Sequence, residues 1–478
     1  MTDKRLHLFR TDLARYFLAR LVPGLTAIFS FILAIRALSP EELGIYLLII
    51  AGAGFLHILA IEWVKAYVAR ELALDNSRVD LAAISFTYLS QLRFVFLTLL
   101  VLLFAVDYLF SLNYGSNLWF AFLGILLFCS RSQFEVEVAI LNATFQAKNY
   151  LYSRTIRNAL QFLFFFGLVG IDLASLTSFA ICIALSYFFV SAFVNDKLFQ
   201  SPIAEGAAGI CQLAFLRRAM IFGFPIAIAL SVDWIVSVSD KLLLSVLIDV
   251  SVAGHYGAIS ELLLKSITLC FVVPYLAFYP RLLAEHRRKN SGGRFPQLYN
   301  FLKSNILLGV FSLVLLASIF PLQVGLLVWG QSYIVVGAEI LFPIVLSICF
   351  FGMKTFLIDI MFHLNSNTKV ILMGSVGVAC LNGLGGLIFI PKYGVQGAAW
   401  VATFALGFGM LFSLFFAVSS GAAKTAFFEI DTIKPLIAIG AGYLASAVFI
   451  DEYRFICFLV LCIAVMFYHL FERRHLLV

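Results

Sequence analysis

The chain has 478 residues, of which 62% are hydrophobic and only 12% are charged, and its mean hydropathy is +1.01. A soluble domain carries about 25% charged residues, so this composition excludes a water-soluble fold and predicts a protein that crosses a membrane many times. The net charge of +7 comes from Lys and Arg spread over short polar segments. This dispersal argues against a nucleic-acid partner, because such proteins concentrate their basic residues in one patch.

The apolar runs, taken in chain order, predict 14 spanning helices, since each span needs about 20 apolar residues. The first run follows a basic N-terminal segment without a signal-peptide cleavage site, so we interpret it as an uncleaved helix. The first six spans lie near 17–37, 43–68, 82–106, 118–141, 154–171 and 174–194. After a polar linker at 195–215, eight more lie near 216–240, 253–280, 301–320, 335–362, 370–390, 394–418, 432–450 and 454–471.

The positions of Lys and Arg support this division and predict its orientation. With the N-terminus in the cytoplasm, 24 of the 33 basic residues fall on the cytoplasmic side and five fall within spans. Four lie outside, namely Arg36, Lys241, Lys392 and Arg454. Because cytoplasmic loops are enriched in Lys and Arg, the sequence predicts an even number of spans with both termini in the cytoplasm.

Two short motifs mark helix starts. Ser39-Pro40-Glu41-Glu42 has the form of a capping box, in which Ser39 and Glu42 each bind the other's backbone amide. Gly44-Ile45-Tyr46 is repeated in outline as Gly254-His255-Tyr256, 210 residues later and six predicted spans further on. An even offset preserves orientation, so the repetition favours two parallel six-helix lobes.

Three longer segments carry a resemblance to a known family. They are Arg36-Ala37-Leu38-Ser39-Pro40-Glu41-Glu42-Leu43-Gly44-Ile45-Tyr46, then Ser239-Asp240-Lys241-Leu242-Leu243-Leu244 leading to Ala253-Gly254-His255-Tyr256, and Pro391-Lys392-Tyr393-Gly394-Val395-Gln396-Gly397-Ala398-Ala399. Together they resemble the polysaccharide flippases of the MOP superfamily, the Wzx-type transporters of O-antigen and exopolysaccharide. The resemblance extends over the whole chain, but its motifs are helix ends and small-residue packing sites.

This resemblance implies an all-α integral membrane protein of 12 or 14 helices, with two pseudo-symmetric lobes around a central cavity. The lobes would comprise 1–194 and 216–418, joined by a cytoplasmic linker at 195–215, and 419–478 would carry two peripheral spans. The implied activity is transfer of undecaprenyl-diphosphate-linked oligosaccharide across the bacterial inner membrane by alternating access. Membrane lipids, and the polymerase and glycosyltransferases of the same pathway, would be partners.

Ionisable residues inside the spans are the candidate site, and they are predicted independently of the resemblance. Each costs about 2.5–3.5 kcal/mol at membrane depth on insertion scales, so such residues usually face a cavity or a partner. The candidate ligands for a diphosphate and glycan are Arg93, Arg131, Lys265, Lys354 and Lys65. The candidate carboxylates for a coupling proton or sodium ion are Asp233, Glu261, Asp359 and Glu62.

Helical spacing also offers a purely structural interpretation of some of these charges. Three pairs stand three or four residues apart on one helical face, namely Glu62 with Lys65, Arg131 with Glu135, and Glu261 with Lys265. We expect the first pair to be an intrahelical ion pair. For the other two, pairing and cavity lining stay open as alternatives.

Two other classes of function compete with a flippase. A cation-coupled small-molecule exporter of the related MATE type would favour an acidic, aromatic cavity, whereas five basic residues lie inside the predicted spans. A membrane enzyme such as a glycan polymerase or ligase would have a large outside loop, and all predicted outside loops are short. The sequence has no metal or nucleotide motif and no nucleophile–base set, so we expect neither catalysis nor a bound cofactor.

Overall fold

The computed structural model describes residues 21–74, 79–110, 115–144, 146–198, 210–287, 294–319, 333–364 and 368–419. Within these ranges every regular element is helical, which agrees with the predicted all-α class. The predicted spans near 432–450 and 454–471 lie outside the described residues. The count of 14 spans therefore stays a prediction.

The chain divides into two compact units, residues 1–242 and 243–478. Unit 1 contains helix α1 (Leu21–Ala37), α2 (Pro40–His57), the π-helical segment π1 (Ile58–Glu62), α3 (Trp63–Leu74), α4 (Val79–Phe110), α5 (Gly115–Ala143), α6 (Ala147–Gly170) and α7 (Leu176–Leu198). Helix α8 (Ile210–Leu247) belongs to unit 1 as far as Leu242. The predicted lobe 216–418 instead begins with this helix.

The capping box predicted at the start of the second span is confirmed. The amide of Glu42 donates to Ser39 Oγ at 3.3 Å, and the amide of Ser39 donates to Glu42 Oε2 at 3.0 Å. Pro40 occupies the first turn, where its missing N–H costs no hydrogen bond. Helix α2 therefore begins where the sequence predicts it.

Helix α5 is the centre of unit 1, because it packs against α2, α3, α4, α6 and α7. The C-terminal half of α5 buries Phe134, Val138 and Leu141 with Tyr150 of α6 and Val190 of α7. Side chains three and four residues apart share one face of a helix, which explains why these three residues of α5 form a single apolar stripe. The same helix carries polar side chains on another face.

Helix α8 lies antiparallel along α2, π1 and α3. Phe215 packs edge-on against Tyr67 with ring centroids 5.5 Å apart. Further along, the indole of Trp234 lies over Gly54 and donates its N–H to the carbonyl of Ala51 at 3.1 Å. Glycine at position 54 leaves room for the ring, because any side chain there would overlap it.

Unit 2 contains α9 (Val250–Arg287), α10 (Arg294–Ile319), α11 (Ile334–Met353), the π-helical segment π2 (Lys354–Ile358), α12 (Asp359–Leu364) and α13 (Thr368–Ser419). Helix α11 packs against α9, α10 and α13. Helix α13 is broken at Gly394, whose φ of 58° and ψ of −133° are not helical. Its two arms correspond to the predicted spans 370–390 and 394–418.

Within the described ranges, six helical segments are long and apolar enough to cross a membrane, including Pro40–Leu72, Phe215–Leu247, Val336–His363 and the broken Lys369–Ser419. Two shorter apolar helices are Leu21–Ala37 and Leu302–Leu315. Helix α4 exposes most of one apolar run, from Phe94 to Phe104. Exposed apolar surface of this extent is what a lipid-facing helix requires.

Candidate functional site

The segment π1 brings three ionisable side chains of unit 1 together. Glu62 Oε2 lies 2.6 Å from Lys65 Nζ and 3.5 Å from Nε2 of the buried His57. The other ring nitrogen of His57 lies 3.0 Å from Ser132 Oγ on α5. A π-turn bonds residues five apart, and this geometry places His57 and Glu62 on one face. The ion pair predicted between Glu62 and Lys65 is present.

Glu135 on α5 is bound by Arg154 on α6. The guanidinium of Arg154 donates through Nη1 and Nη2 to the two carboxylate oxygens of Glu135, at 3.4 and 3.0 Å. Such a two-pronged contact is stronger and more directional than a single hydrogen bond. Arg131, the neighbour that α-helical spacing assigns to Glu135, is not its hydrogen-bond partner. Of the two alternatives left open for Arg131 and Glu135, the structure does not show the ion pair, because a neighbouring helix supplies a better-placed cation.

Arg131 is held by an aromatic ring. Its guanidinium carbon lies 5.8 Å from the centre of the Trp234 ring, within the range of a cation–π contact. Its Nε is buried and forms no hydrogen bond to a described residue. A guanidinium that rests on a ring by its face keeps its in-plane N–H groups available.

Arg157 on α6 is held in the same way. Its guanidinium carbon lies 3.8 Å from the centre of the Tyr187 ring on α7, and Nη1 donates to Asn158 Oδ1 at 2.8 Å. The Nε of Arg157 is buried without a hydrogen-bond partner among the described residues. Arg157 therefore resembles Arg131 in having an aromatic support and a donor still available.

These side chains form one cationic cluster, which we define as Lys65, Arg131, Arg154 and Arg157 with the carboxylates Glu62 and Glu135. Glu135 lies within electrostatic range of Arg154, Lys65 and Arg131, and Arg157 lies within range of Arg131 and Glu135. Two of the four cations are matched by carboxylates. The cluster therefore carries two positive charges in excess when His57 is neutral.

The cluster lies well inside the helices. Arg131 precedes the end of α5 at Ala143 by 12 residues, which is about 18 Å along a helix axis. Arg157 follows the start of α6 at Ala147 by 10 residues, or about 15 Å. If α5 and α6 cross the membrane as the sequence predicts, excess positive charge this far from the helix ends is costly unless an anion or water compensates it.

Arg93 on α4 is not part of the ion pairs that the cluster contains. It interacts electrostatically with Glu137 on α5, whose side chain is fully buried and accepts from Gln133 Nε2 at 2.9 Å. The Nε and Nη2 atoms of Arg93 are buried and have no hydrogen-bond partner among the described residues. Arg93 is thus a cation of unit 1 with unused donors, beside a neutralising carboxylate.

The remaining candidate cations lie in unit 2, and both are paired. Lys265 Nζ lies 2.8 Å from Glu261 Oε2 on the same face of α9, as spacing predicts. Lys354 Nζ lies 2.8 Å from Asp359 Oδ2 across π2, with side chains that are 7% and 3% exposed. In this structure a carboxylate therefore neutralises each of these lysines.

The candidate coupling carboxylates are distributed between the two units. Glu62 and the exposed Asp233 lie in unit 1, and Glu261 and Asp359 lie in unit 2. Oδ1 of Asp359 is buried and has no hydrogen-bond partner among the described residues. Among all the residues that the structure describes, no three His, Cys, Asp or Glu side chains are grouped closely enough to hold a metal ion.

Sequence reasoning missed Arg154 and Arg157 as site residues. Both lie close to a polar loop, so they were counted among the cytoplasmic basic residues that predict the orientation. Their spacing of three residues on a helix could have identified them, since it places both on one face. Glu135 was recognised as an interior charge, with its pairing to Arg131 left open. The structure adds Arg154 and Arg157 from the loop region to the unit 1 cluster that contains Glu135.

The fold is similar to solved structures of a lipid flippase and of multidrug transporters. No protein-family model and no curated protein sequence matches the chain. A structure of the lipid II flippase MurJ in an inward closed conformation matches with a TM-score of 0.62 and 16% identity, covering 96% of this chain and 100% of that one. An inward-facing MATE multidrug resistance transporter of the MOP superfamily matches with a TM-score of 0.60 and 16% identity, covering 87% and 100%.

The fold of the chain is similar to the folds of these two transporters. A MOP transporter from Pyrococcus furiosus, described as having a binding pocket of reversed polarity, matches with a TM-score of 0.53 and 15% identity over 86% of this chain and 96% of that one. At these identities the likeness shows a shared fold and not the substrate. The coarse prediction of a multi-pass helical protein with this fold is confirmed, and the Wzx-type specificity stays a prediction.

Proposed function

We propose that the chain is a flippase that moves an undecaprenyl-diphosphate-linked oligosaccharide between the leaflets of the bacterial inner membrane by alternating access. The observation that carries this proposal is the cationic cluster of unit 1. Arg131 and Arg157 each rest on an aromatic ring with a buried N–H left without a partner. They can bind an anion without first breaking an ion pair.

A diphosphate suits this cluster for physical reasons. Arg offers planar, two-pronged contacts to phosphate oxygens, and its charge persists at any physiological pH. The two excess positive charges offset much of the charge of a diphosphate diester. Arg154 and Lys65, bound by Glu135 and Glu62, would position the neighbouring cations and strengthen the local field.

Each other predicted site residue has a proposed role that depends on its pairing. Arg93 would extend the cationic surface of unit 1. Lys265 and Lys354 would act as ligands of unit 2 only in a state in which Glu261 and Asp359 release them.

The carboxylates Glu62, Asp233, Glu261 and Asp359 are the proposed sites of a coupling proton or sodium ion, because a carboxylate that loses its cationic partner takes up another cation readily. The pathway would be synthesis of O-antigen or exopolysaccharide, with its polymerase and glycosyltransferases nearby.

The alternative is export of small molecules, supported by the match to MATE transporters with a TM-score of up to 0.60. An exporter of organic cations would need unneutralised carboxylates. In unit 1, however, Glu62 and Glu135 are both bound by cations. Charge complementarity in unit 1 therefore favours an anionic cargo there.

Reconstitution distinguishes the two functions. The purified protein is reconstituted into vesicles. One set carries a fluorescent undecaprenyl-diphosphate oligosaccharide in one leaflet, and a separate set carries the organic cation ethidium in the lumen. We expect transfer of the lipid between leaflets and no protein-dependent movement of ethidium. Movement of ethidium without transfer of the lipid would replace the flippase by an exporter. Imposing proton and sodium gradients in the same vesicles tests coupling, and equal rates with and without both gradients would remove the coupling proposal.

A further inference from the structure

A cavity of about 430 Å³ lies in unit 2, at the end that the charge distribution predicts to be outside. It is formed where the turn between α8 and α9, the start of α11 and the break in α13 meet. The two sequence segments around His255 and Tyr393, which carried the family resemblance, both contribute to its lining. Its volume lies within the range of about 300–1,000 Å³ that is usual for small-ligand sites.

The break in α13 creates the cavity's aromatic wall. Gly394 adopts a left-handed φ of 58°, which a residue with a Cβ adopts only with strain. The two arms then pack so closely that a Cβ on Gly397 would lie 3.2 Å from Cβ of Tyr393. Tyr393 stacks on Phe389 with ring centroids 6.2 Å apart, yet 61% of its surface stays exposed. The break therefore presents a supported aromatic ring beside an open cavity.

The polar groups of the cavity are already oriented. Gln396 Nε2 donates to Glu339 Oε2 at 3.2 Å, which leaves a carboxylate oxygen and an amide oxygen as acceptors and one amide N–H as a donor. His255 Nδ1 lies 3.0 Å from the carbonyl of Ser251. A carbonyl only accepts, so Nδ1 carries the proton and Nε2 of the neutral ring is an acceptor. The rest of the lining includes Ile248, Val252 and Val336.

This chemistry fits a neutral sugar and does not fit a phosphate. A pyranose offers hydroxyl groups that both donate and accept, and an apolar C–H face that packs on an aromatic ring. Among the described residues that line the cavity, Glu339 is the one with a fixed charge. Its negative charge disfavours a phosphate and accepts hydrogen bonds from adjacent hydroxyls.

We propose that this cavity is a second substrate site, which holds a neutral saccharide portion of the cargo at the outer end of unit 2. This inference rests on the proposed flippase function, and it assigns the glycan and the diphosphate to different units. The diphosphate would bind the cationic cluster of unit 1, and sugar rings would bind at Tyr393, Glu339 and Gln396. Selection of the cargo by its sugar would then occur apart from recognition of its anion.

Saturation-transfer NMR on the full chain in nanodiscs tests the site directly. The probes are soluble neutral disaccharides built from glucose, galactose and N-acetylhexosamine. We expect at least one to bind, and Tyr393→Ala and Gln396→Ala to weaken that binding about tenfold, the effect of one lost contact of ~1.4 kcal/mol. Tyr152→Ala is the matched control, because Tyr152 is an exposed tyrosine of unit 1. The inference is overturned if no disaccharide binds the unmodified protein, or if the variants bind as it does.

A second measurement distinguishes the cargo's glycan from a free sugar. Vesicles receive either undecaprenyl-diphosphate oligosaccharide or sugar-free undecaprenyl diphosphate, and the transfer rates are compared. We expect Tyr393→Ala to slow the glycosylated lipid several-fold while leaving the sugar-free lipid unchanged. Equal effects on the two lipids would overturn the assignment to the cargo while leaving the flippase proposal intact. Failure of the unmodified protein to transfer either lipid would instead contradict the flippase proposal, whatever the disaccharides do.

Discussion

Buried cations in this protein are stabilised in two different ways. Arg154 and Lys354 each bind a carboxylate at 3.0 Å or less. Arg131 and Arg157 instead rest on the rings of Trp234 and Tyr187. A carboxylate removes the net charge of the pair, whereas an aromatic ring stabilises a cation and leaves its charge in place. This difference separates residues that hold the fold together from residues that can meet an anion.

The ion pairs of unit 2 differ in burial, and their contributions to stability should differ accordingly. Breaking a buried pair leaves an uncompensated charge, which costs about 3–5 kcal/mol, whereas an exposed pair contributes about 1 kcal/mol or less. We therefore expect Asp359→Ala to lower the melting temperature of the purified protein strongly. Glu261→Ala, which breaks the more exposed pair with Lys265, should lower it slightly.

A double substitution makes this comparison sharper. Replacing Lys354 and Asp359 together by Met and Leu leaves no buried charge, so the melting temperature should recover much of the loss caused by Asp359→Ala. Circular dichroism in detergent gives all of these temperatures. A loss for Glu261→Ala as large as that for Asp359→Ala would refute the assigned difference in burial.

At the scale of elements, the two π-helical segments explain why some side-chain pairs could not be predicted. Helical spacing of three and four residues predicted the pair of Glu62 with Lys65 and offered pairing as one of two alternatives for Glu261 with Lys265, and both pairs are present. Lys354 and Asp359 stand five residues apart, a spacing that shares a face in a π-turn and not in an α-helix. The apolar sequences of the two segments contain no signal for the wider turn.

Partners on neighbouring helices were also beyond sequence reasoning. Arg154 reaches Glu135 from α6, and Trp234 reaches Arg131 from α8. Nothing in the order of residues indicates which faces of these helices meet. By contrast, the capping box at Ser39 depends on residues adjacent in sequence, and the sequence located it. The sequence also predicted separate spans at 370–390 and 394–418, between which the helix is broken at Gly394. Local chemistry was therefore predictable, and the composition of the cluster was not.

The packing of α8 against α2 can be tested with a substitution in α2 and a matched control on the same helix. A methyl group at Gly54 would meet the ring of Trp234, 2.8 Å from Cη2, whereas one at Gly52 would meet nothing within 4 Å. We expect Gly54→Ala to displace Trp234 and lower the free energy of unfolding by about 1–3 kcal/mol. Gly52→Ala should raise it by about 0.5–1 kcal/mol, because alanine favours the helix.

Chemical denaturation of both variants measures these changes. Near-ultraviolet circular dichroism reports separately whether the environment of the tryptophans has changed. Equal stability of Gly54→Ala and Gly52→Ala would contradict the close packing of Trp234 on α2.

At the scale of the whole molecule, composition and charge distribution were sufficient to predict a multi-pass helical protein, and the similarity of the fold to a lipid flippase structure agrees with that prediction. The reason is physical, because a chain that is 62% hydrophobic has to satisfy its backbone inside helices. The division into lobes 1–194 and 216–418 stays a prediction. Within unit 1, Trp234 and Phe215 of α8 pack against α2 and α3.

The predicted orientation can be tested with single cysteines in a chain whose eight native cysteines have been replaced. Lys148 and Lys392 are both exposed, at the start of α6 and at the break in α13. We expect Lys392→Cys to react with a membrane-impermeant maleimide on intact spheroplasts. Lys148→Cys should react only after the membrane is permeabilised. The reverse pattern would invert the topology and would place the proposed saccharide cavity on the cytoplasmic side.

The central claim is that Arg131 and Arg157 receive the diphosphate of the cargo. The most direct measurement is the rate of transfer of undecaprenyl-diphosphate oligosaccharide in vesicles that contain Arg131→Ala, Arg157→Ala or the exposed control Lys148→Ala. We expect each arginine variant to reduce the rate at least tenfold, since a charge-assisted contact contributes about 1.5–3 kcal/mol, and the control to retain the normal rate. Normal rates in both arginine variants, with the folded protein present in equal amounts, would contradict the account.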